Sequence, residues 1–153
     1  MSTAVATRFT TGHVGLNVSD LARSIRFYQE VFGFDVAAQS HEAGRQFAFL
    51  TQGETIVLTL WQQSDGSFVK DRPGLHHLSF QVDSIDQVRA AEQRLGELGA
   101  AIHHHGIVPH REGADSGGLF FEDPDGIRLE IFTAAGVGDS PAPHGAAPTC
   151  GFF

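Results

Sequence analysis

Residues 12–34, GHVGLNVSDLARSIRFYQEVFGF, join a strand pattern directly to a helix pattern. Over residues 13–18 apolar side chains alternate with small or polar ones, which is typical of a half-buried β-strand. Ser19 and Asp20 can cap a helix, and Gly33 can end one. Between them apolar residues recur at helical spacing, namely Leu21, Ile25, Tyr28 and Phe32. The stretch therefore predicts one strand followed by an amphipathic helix.

The same pattern returns 64 residues later, since HVGLNVSDL starts at 13 and HLSFQVDSI starts at 77. The second helix pattern follows Ser84 and ends at Gly99. Residues 46–61, QFAFLTQGETIVLTLW, align without a gap with residues 117–132, GGLFFEDPDGIRLEIF, at an offset of 71. The larger offset implies about 7 extra residues in the second copy, which we place in the loop around 110–117. Each copy reads as strand, helix and three strands, so the sequence predicts an α+β fold of two βαβββ modules, with each sheet covered by its helix on one face.

The chain divides into three parts on this pattern. Residues 1–9 form an N-terminal extension, and residues 10–133 form a central domain with modules at about 10–66 and 74–133. Residues 134–153 are rich in Ala, Gly and Pro and show no periodicity, so they are predicted to be a tail. The tail ends in the apolar residues CGFF at 150–153, which either dock on the domain or fray.

Composition excludes several classes of protein. The net charge of −8 argues against nucleic acid or an anionic membrane as the partner. No apolar run approaches the roughly 20 residues of a membrane span, and residues 1–13 lack the features of a secretory signal. The single cysteine, Cys150, excludes a disulfide scaffold and a thiolate metal cluster, and it has no basic neighbour in sequence that would make it reactive. We therefore expect a soluble, cytoplasmic domain, and its nine histidines are the unusual feature.

Strand alternation places three side chains of types that commonly bind metals on equivalent faces of the predicted sheets. His13, His77 and Glu130 lie opposite the aliphatic faces that the helices should cover. Two such sheets side by side would form a trough with a polar floor. Two imidazoles and one carboxylate are a recurring ligand set for Fe, Mn, Ni or Zn, and a bound cation would offset the cost of burying Glu130. We predict a divalent metal site here, with His76 as a less favoured substitute for His77 because its side chain faces the other way.

Further residues on the same faces predict a pocket with aromatic walls and a few polar groups. The aromatic candidates are Phe47, Phe49, Trp61, Phe120 and Phe132. The polar candidates are Asn17, Ser79 and Gln81, which can orient ligand imidazoles, together with Thr59 and Arg128. An alternative is that several aromatic residues fill the core and that the polar ones are ordinary strand residues.

Candidates for acid–base or substrate-binding roles lie in the second module. His103-His104-His105 falls in the predicted sixth strand, where alternation separates His104 from its neighbours, so at least one imidazole can face the trough. His110 and Arg111 lie in the longer loop and can bind an anionic substrate group. A solvated strand and a solvated loop are the alternatives. Glu122, Asp123 and Asp125 are explained by the EDPDG turn, so no chemistry is assigned to them.

These residues are where the chain resembles a known family, the vicinal oxygen chelate superfamily of glyoxalases, extradiol dioxygenases, fosfomycin-resistance enzymes and bleomycin-binding proteins. The resemblance covers about 10–133, and its motifs are GHVGLNVSDLARSIRFYQEVFGF (12–34), LHHLSFQVDSID (75–86) and FFEDPDGIRLEIF (120–132). It implies paired βαβββ modules that form a cupped half-barrel around a metal, which chelates two neighbouring substrate oxygens. The ligand positions of the family match His13, His77 and Glu130.

Departures from the patterns of individual family members reduce the number of reactions that the chain could catalyse. Thr59 stands where glyoxalase I carries a fourth ligand. Trp61-Gln62 and Phe120 stand where extradiol dioxygenases place an outer His and a Tyr. Only Arg111 and Arg128 are available for the phosphonate that fosfomycin-resistance enzymes bind. Bleomycin-binding relatives lack the metal ligands that this chain retains.

The resemblance implies a metal-dependent enzyme acting on a small substrate chelated through adjacent oxygens, with a dioxygenase-like or a lyase/isomerase reaction. The alternative is a binding or resistance protein of the bleomycin-binding type without turnover. We expect a homodimer. Its modules pair within one chain or swap between chains, and in the second case His13 would share its metal with His77 and Glu130 of the other subunit.

Overall fold

The computed structural model describes residues 6–153 and contains eight strands and two α-helices in that range. The first module consists of β1 (Val14–Val18), α1 (Leu21–Phe32), β2 (Asp35–Ser40), β3 (Phe47–Gln52) and β4 (Thr55–Gln62). The second consists of β5 (Leu78–Val82), α2 (Ile85–Glu97), β6 (Val108–Pro109), β7 (Gly117–Glu122) and β8 (Arg128–Thr133). The predicted α+β fold of two βαβββ modules is confirmed. Neither helix is long and apolar enough to cross a membrane.

Local sequence explains where the helices begin and end. The Asp20 side chain accepts a hydrogen bond from the Arg23 backbone N–H at 3.0 Å, which caps α1. Gly33 follows α1 in the left-handed conformation, with φ 69°, where a residue with a Cβ would be strained. Ser84 and Gln87 form a reciprocal capping box at the start of α2.

The two sheets repeat the same strand order and register. The first sheet runs β1-β4-β3-β2 and the second runs β5-β8-β7-β6. In the first, Gly15 of β1 lies opposite Thr59 of the parallel strand β4, and in the second, Ser79 of β5 lies opposite Glu130 of β8. These pairs are related by the offsets of 64 and 71 found in the sequence, so the structure confirms the internal repeat.

One hydrophobic core joins the two modules. The aliphatic faces of both sheets and the apolar faces of α1 and α2 belong to a single buried cluster. Aromatic rings connect the modules directly, since Phe32 lies 4.7 Å from Phe80 and Phe27 lies 6.5 Å from Phe121, measured between ring centroids. Because both aliphatic faces point into this core, the opposite faces look away from each other. The polar trough expected from side-by-side sheets is therefore not formed within one chain.

The sixth strand differs from its prediction. Ile102 forms an isolated bridge with Phe121, and the strand resumes only at Val108–Pro109. Residues 103–105 form a 3₁₀ turn, in which His104 and His105 have φ of 58° and 61°. Left-handed backbone at two successive non-glycine residues is incompatible with a strand. Alternation therefore does not apply to His104, and part of the extra length of the second copy lies in this turn and not only in the loop around 110–117.

The EDPDG turn joins the second module to α1. Asp123 accepts hydrogen bonds from the Tyr28 hydroxyl at 2.9 Å and from the backbone N–H groups of Asp125 and Ile127, each at 2.9 Å. Asp125 accepts from the Ser19 backbone N–H and forms an ion pair with Arg23 at 3.0 Å. Burial raises the pKa of Asp123 to about 6, although its hydrogen bonds oppose that shift. The carboxylate is thus costly to ionise where the modules meet.

We expect Asp123→Asn to remove a pH dependence of stability. The raised pKa means that the native state binds more protons than the unfolded chain between about pH 4 and 6, so the stability linked to Asp123 is lost as the pH rises through its native pKa. The amide introduced by the substitution stays neutral, and its oxygen can still accept from the Ile127 N–H. The free energy of unfolding of the variant minus that of the wild type should rise by on the order of 3 kcal/mol from pH 4 to pH 8, as measured by urea denaturation.

The exposed Asp65→Asn variant is the matched control for this comparison. It should follow the wild-type pH profile. A difference between Asp123→Asn and the wild type that is the same at pH 4 and pH 8 would show that Asp123 titrates normally.

Candidate metal centre

Glu130 lies at the centre of the polar face of the second sheet. It is 3% exposed, and its neighbours across the strands are Ser79 of β5 and Phe120 of β7. The His110 Nε2 atom lies 2.6 Å from Glu130 Oε1, and the His77 Nε2 atom lies 3.7 Å from Glu130 Oε2. None of the Lys or Arg ion pairs in residues 6–153 involves this carboxylate. A buried carboxylate faced by imidazoles is costly unless a cation lies nearby.

His77 lies directly before β5, with its Nδ1 atom 2.8 Å from that of His76. Burial lowers the pKa of His77, and the charge of Glu130 opposes this shift. The neutral imidazole is the form that binds a metal. His77 and Glu130 are thus brought together as the alternation of the strands predicts.

His13 is the third predicted ligand and lies directly before β1 of the first sheet, where it is exposed. The polar face of that sheet looks away from the face that carries Glu130. Among residues 6–153, no group of three or more His, Cys, Asp or Glu side chains is arranged to hold a metal. One chain therefore assembles two of the three predicted ligands and leaves the third on another surface.

The donor set fits a divalent metal ion. Glu130 supplies a buried anionic oxygen, and His77 supplies a neutral nitrogen, which suit the borderline metals of the first transition row. Two imidazoles and one carboxylate would leave coordination positions open for a substrate.

His110 lies immediately after β6 and is oriented at both ring nitrogens. Its Nδ1 atom lies 3.0 Å from the Ser116 hydroxyl, while Nε2 faces Glu130. Its ring packs 5.1 Å from that of Phe132 and 6.3 Å from that of Phe120, between centroids. Of the candidates for acid–base or substrate-binding roles, His110 is the one in direct contact with a predicted ligand.

The other two candidates lie elsewhere. Arg111 is exposed in the turn that follows His110. His104 packs 5.9 Å from Phe120 and 5.6 Å from His144, between ring centroids, and burial lowers its pKa. From the 3₁₀ turn, its ring reaches Phe120, one of the predicted aromatic pocket residues.

The predicted pocket residues of the first sheet form an open aromatic surface. The rings of Phe47, Phe49 and Trp61 lie within 6.0 Å of one another and are half-buried. Thr59 is buried and its hydroxyl accepts a hydrogen bond from Trp61 Nε1 at 2.9 Å. Asn17 accepts from the Gln63 backbone N–H at 3.0 Å. Thr59 is thus occupied in holding Trp61.

In the second sheet, the pocket residues of the inner strands β7 and β8 are covered, and those of the edge strand β5 are not. Phe120 is fully buried and Arg128 is 7% exposed, whereas Ser79 and Gln81 of the edge strand β5 remain exposed. Arg128 donates from Nε to the carbonyl oxygen of His76 at 2.7 Å and from Nη1 to that of Phe153 at 2.9 Å. The difference between the two sheets is the tail, which covers only the second.

The end of the tail docks on the domain, which is one of the two alternatives predicted from the sequence. Thr149 is fully buried, donates from Oγ1 to the Pro109 carbonyl oxygen at 2.7 Å, and begins a short 3₁₀ turn, Thr149–Gly151. Burial raises the pKa of the Cys150 thiol, and the charge of Glu130 raises it further. Phe153 packs against His77. Sequence reasoning did not place Cys150 or Phe153 at the site, and the apolar ending of a tail otherwise rich in small residues is the signal that could have done so.

A sizeable cleft lies away from these residues. It has a volume of about 430 Å³ between the outer side of α1 and the EDPDG turn, and Arg23, Arg26 and Glu30 line it on the α1 side. None of the predicted metal ligands borders it. The cleft lies where α1 of the first module meets the EDPDG turn of the second.

Comparison with known proteins agrees with this architecture. Residues 10–131 match the Glyoxalase/Bleomycin resistance protein/Dioxygenase superfamily. A trivalent organoarsenical cleaving enzyme of Bacillus sp. (strain MD1) is 30% identical over 138 residues, which cover 90% of this chain and 80% of that protein. Catechol-2,3-dioxygenase of Bacillus subtilis (strain 168) is 29% identical over 123 residues, covering 79% of this chain but 40% of that protein.

A solved structure shows the same fold. The glyoxylase/bleomycin resistance protein/dioxygenase domain from Frankia sp. EAN1pec superposes with a TM-score of 0.71 at 30% identity, covering 86% of this chain and 96% of that one. The repeated modules, the match over most of the chain and this superposition lead to one conclusion. The chain belongs to the glyoxalase/bleomycin resistance protein/dioxygenase superfamily.

Proposed function

We propose that the protein is a metal-dependent enzyme in which His13, His77 and Glu130 hold a divalent ion and a small substrate binds through two adjacent oxygens. The observation that carries the proposal is the environment of Glu130. This carboxylate is 3% exposed and faces two imidazoles, and no Lys or Arg of residues 6–153 pairs with it. A divalent cation at this position would balance the charge that the fold buries.

We propose further that a second copy of the chain supplies His13. The shared core turns the polar faces of the two sheets away from each other, so His13 cannot join His77 and Glu130 of its own chain without dismantling that core. The half-buried cluster of Phe47, Phe49 and Trp61 gives the polar face of the first sheet an apolar surface for a partner. A two-fold dimer would lay the first sheet of one chain beside the second sheet of the other.

Within this site the residues of the chain have separate tasks. Glu130 and His77 would bind and orient the ion, and His110 holds the Glu130 carboxylate in place through its Nε2 atom. Phe120 and Phe132 exclude water around that contact. A bound divalent ion supplies Lewis acidity, which lowers the pKa of a coordinated substrate hydroxyl, or activation of O₂ if it is iron.

Of the two reaction types, we favour the dioxygenase type, with Trp61-Gln62 and Phe120 in place of the outer His and Tyr that extradiol dioxygenases use. Thr59 lies where glyoxalase I carries its fourth ligand, and its hydroxyl is already engaged by Trp61. This leaves coordination positions free for a substrate with two oxygens and for O₂. The similarity to a protein named catechol-2,3-dioxygenase supports this choice. Oxygen uptake by the iron-loaded protein with catechols separates it from a lyase or isomerase.

Metal analysis tests the proposed ligands. The protein purified without a tag under anaerobic conditions should bind one divalent ion per chain, as measured by elemental analysis. His13→Ala, His77→Ala and Glu130→Ala should each lower the affinity more than about 100-fold, because each removes one direct ligand. The exposed His41→Ala variant is the matched control and should bind as the wild type does.

The outcome that would contradict the site is equally direct. If the wild type binds no stoichiometric metal, or if Glu130→Ala binds it as tightly as His41→Ala does, these residues do not form a metal centre. A binding protein without turnover would then be the better description.

Mixed dimers test whether the site is shared. In a dimer of His13→Ala and Glu130→Ala chains isolated through two different tags, shared sites leave one intact pair and one doubly damaged pair. The mixed dimer should therefore bind about half the metal of the wild type, although each variant alone binds almost none. If every site lies within a single chain, mixing restores nothing.

His110 is expected to act through Glu130. His110→Ala should weaken metal binding by about 10- to 100-fold while keeping one ion per chain at saturating metal, since it removes a group that positions a ligand. His110→Gln, which can restore a nitrogen near Glu130, should recover part of the affinity. A loss of affinity as large as that of His77→Ala would instead make His110 a ligand.

A further inference from the structure

The ring of Phe153 occupies an aromatic niche on the polar face of the second sheet. Its centroid lies 4.9 Å from that of Phe120, 5.5 Å from that of His103 and 5.7 Å from that of His77, each in an edge-on arrangement. The guanidinium carbon of Arg128 lies 5.8 Å from the same centroid. Such edge-on and cation–π contacts favour any aromatic ring in this position and do not require that it belong to the chain.

Arg128 lacks the acidic side chain that ordinarily accompanies a buried cation. Its residue is 7% exposed, and none of the side-chain ion pairs within residues 6–153 includes it. Two backbone oxygens accept from it, those of His76 and Phe153. The Nη1 atom that faces Phe153 is placed to pair with an anionic oxygen, because a guanidinium attracts an anion by charge as well as by hydrogen bonding.

The segment that carries Phe153 is fixed at one end and loosely held at the other. Thr149 is fully buried, and its backbone N–H donates to the His110 carbonyl oxygen at 2.8 Å. Beyond it, Gly151 is exposed and Phe152 is 56% exposed, with its carbonyl oxygen 3.1 Å from His144 Nε2. Apart from the hydrogen bonds within the 3₁₀ turn, only His144 and Arg128, in the part of the chain that the structure describes, make polar contacts with residues 151–153, through the oxygens of Phe152 and Phe153. Phe153 can therefore leave its niche while Thr149 stays docked.

We propose that residues 150–153 are a tethered occupant of a binding subsite for an aromatic ring that bears an anionic oxygen, and that Phe153 must leave before such a ligand binds. The ligand's ring would replace that of Phe153 beside His77 and Phe120, and its oxygen would replace the Phe153 backbone oxygen at Arg128. The inference rests on the proposed function in one respect, since the subsite adjoins the ligands His77 and Glu130. To the proposed function it adds a ligand class, an aromatic acid or phenolate, and a competitor for the same subsite within the chain, residues 150–153.

3-Phenylpropionate is the probe, because it has the same number of carbons between ring and carboxyl as Phe153 has between ring and carbonyl. Its binding to the metal-free protein is measured by isothermal titration calorimetry. Phe153→Ala, and a chain ending at Thr149, should bind it about tenfold more tightly than the wild type if the niche is free in about a tenth of the wild-type molecules. Phe152→Ala removes an equally large but exposed ring and should leave the affinity unchanged.

Arg128 is tested in the same assay. In the Phe153→Ala background, Arg128→Met keeps much of the apolar stem and should lower the affinity for 3-phenylpropionate at least tenfold, while the affinity for uncharged propylbenzene should change little. If Arg128→Met fails to fold, the affinities of the Phe153→Ala variant for propylbenzene and for 3-phenylpropionate can be compared instead. That comparison also measures the contribution of the ligand's charge.

Two results would overturn the proposal. If Phe153→Ala and the shortened chain bind 3-phenylpropionate no more tightly than the wild type, Phe153 is a fixed wall and not an occupant. If they bind it no better than propylbenzene, Arg128 does not select an anion. Neither result depends on metal, so a protein that binds no metal but shows the tenfold gain would refute the proposed function and leave this inference standing.

Discussion

The packing of both helices between the two sheets is the constraint from which the rest of the structure follows. An amphipathic helix and a two-faced sheet each have one apolar surface to bury, and here all four surfaces meet in one core. Phe32 against Phe80 and Phe27 against Phe121 show that the contact crosses from one module to the other. As a result each sheet keeps its polar face on the outside, and a site that needs both polar faces needs two chains.

The two outward faces differ in what covers them. In the first sheet, half-buried aromatic rings and the exposed His13 leave a surface suited to association. In the second, Glu130 and Arg128 are buried charges, one facing imidazoles and the other facing backbone oxygens. These opposite charges lie two residues apart on β8 and therefore on the same face of the second sheet.

The repeat made most of the fold predictable. The offsets of 64 and 71 between the copies reappear as the equivalent pairs Gly15–Thr59 and Ser79–Glu130, because parallel neighbours in the two sheets keep the same register. Alternation also placed His77 and Glu130 on one face. It failed at His104, where two left-handed residues turn the chain out of the sheet, and a run of three histidines carries no signal for such a turn. The contact between His110 and Glu130 and the docking of Phe153 depend on long-range packing, which no local pattern encodes.

Covalent attachment of Phe153 has a consequence for binding equilibria. A group tethered four residues from its anchor at Thr149 meets its niche at an effective concentration on the order of millimolar, whatever the concentration of the protein. Dilution does not release it. A weak ligand present at micromolar levels would therefore be outcompeted, whereas one that also bound the proposed metal ion would displace the ring. As the proposed occupant, the tail would set an affinity threshold, so that the site would discriminate by total binding energy and not by shape alone.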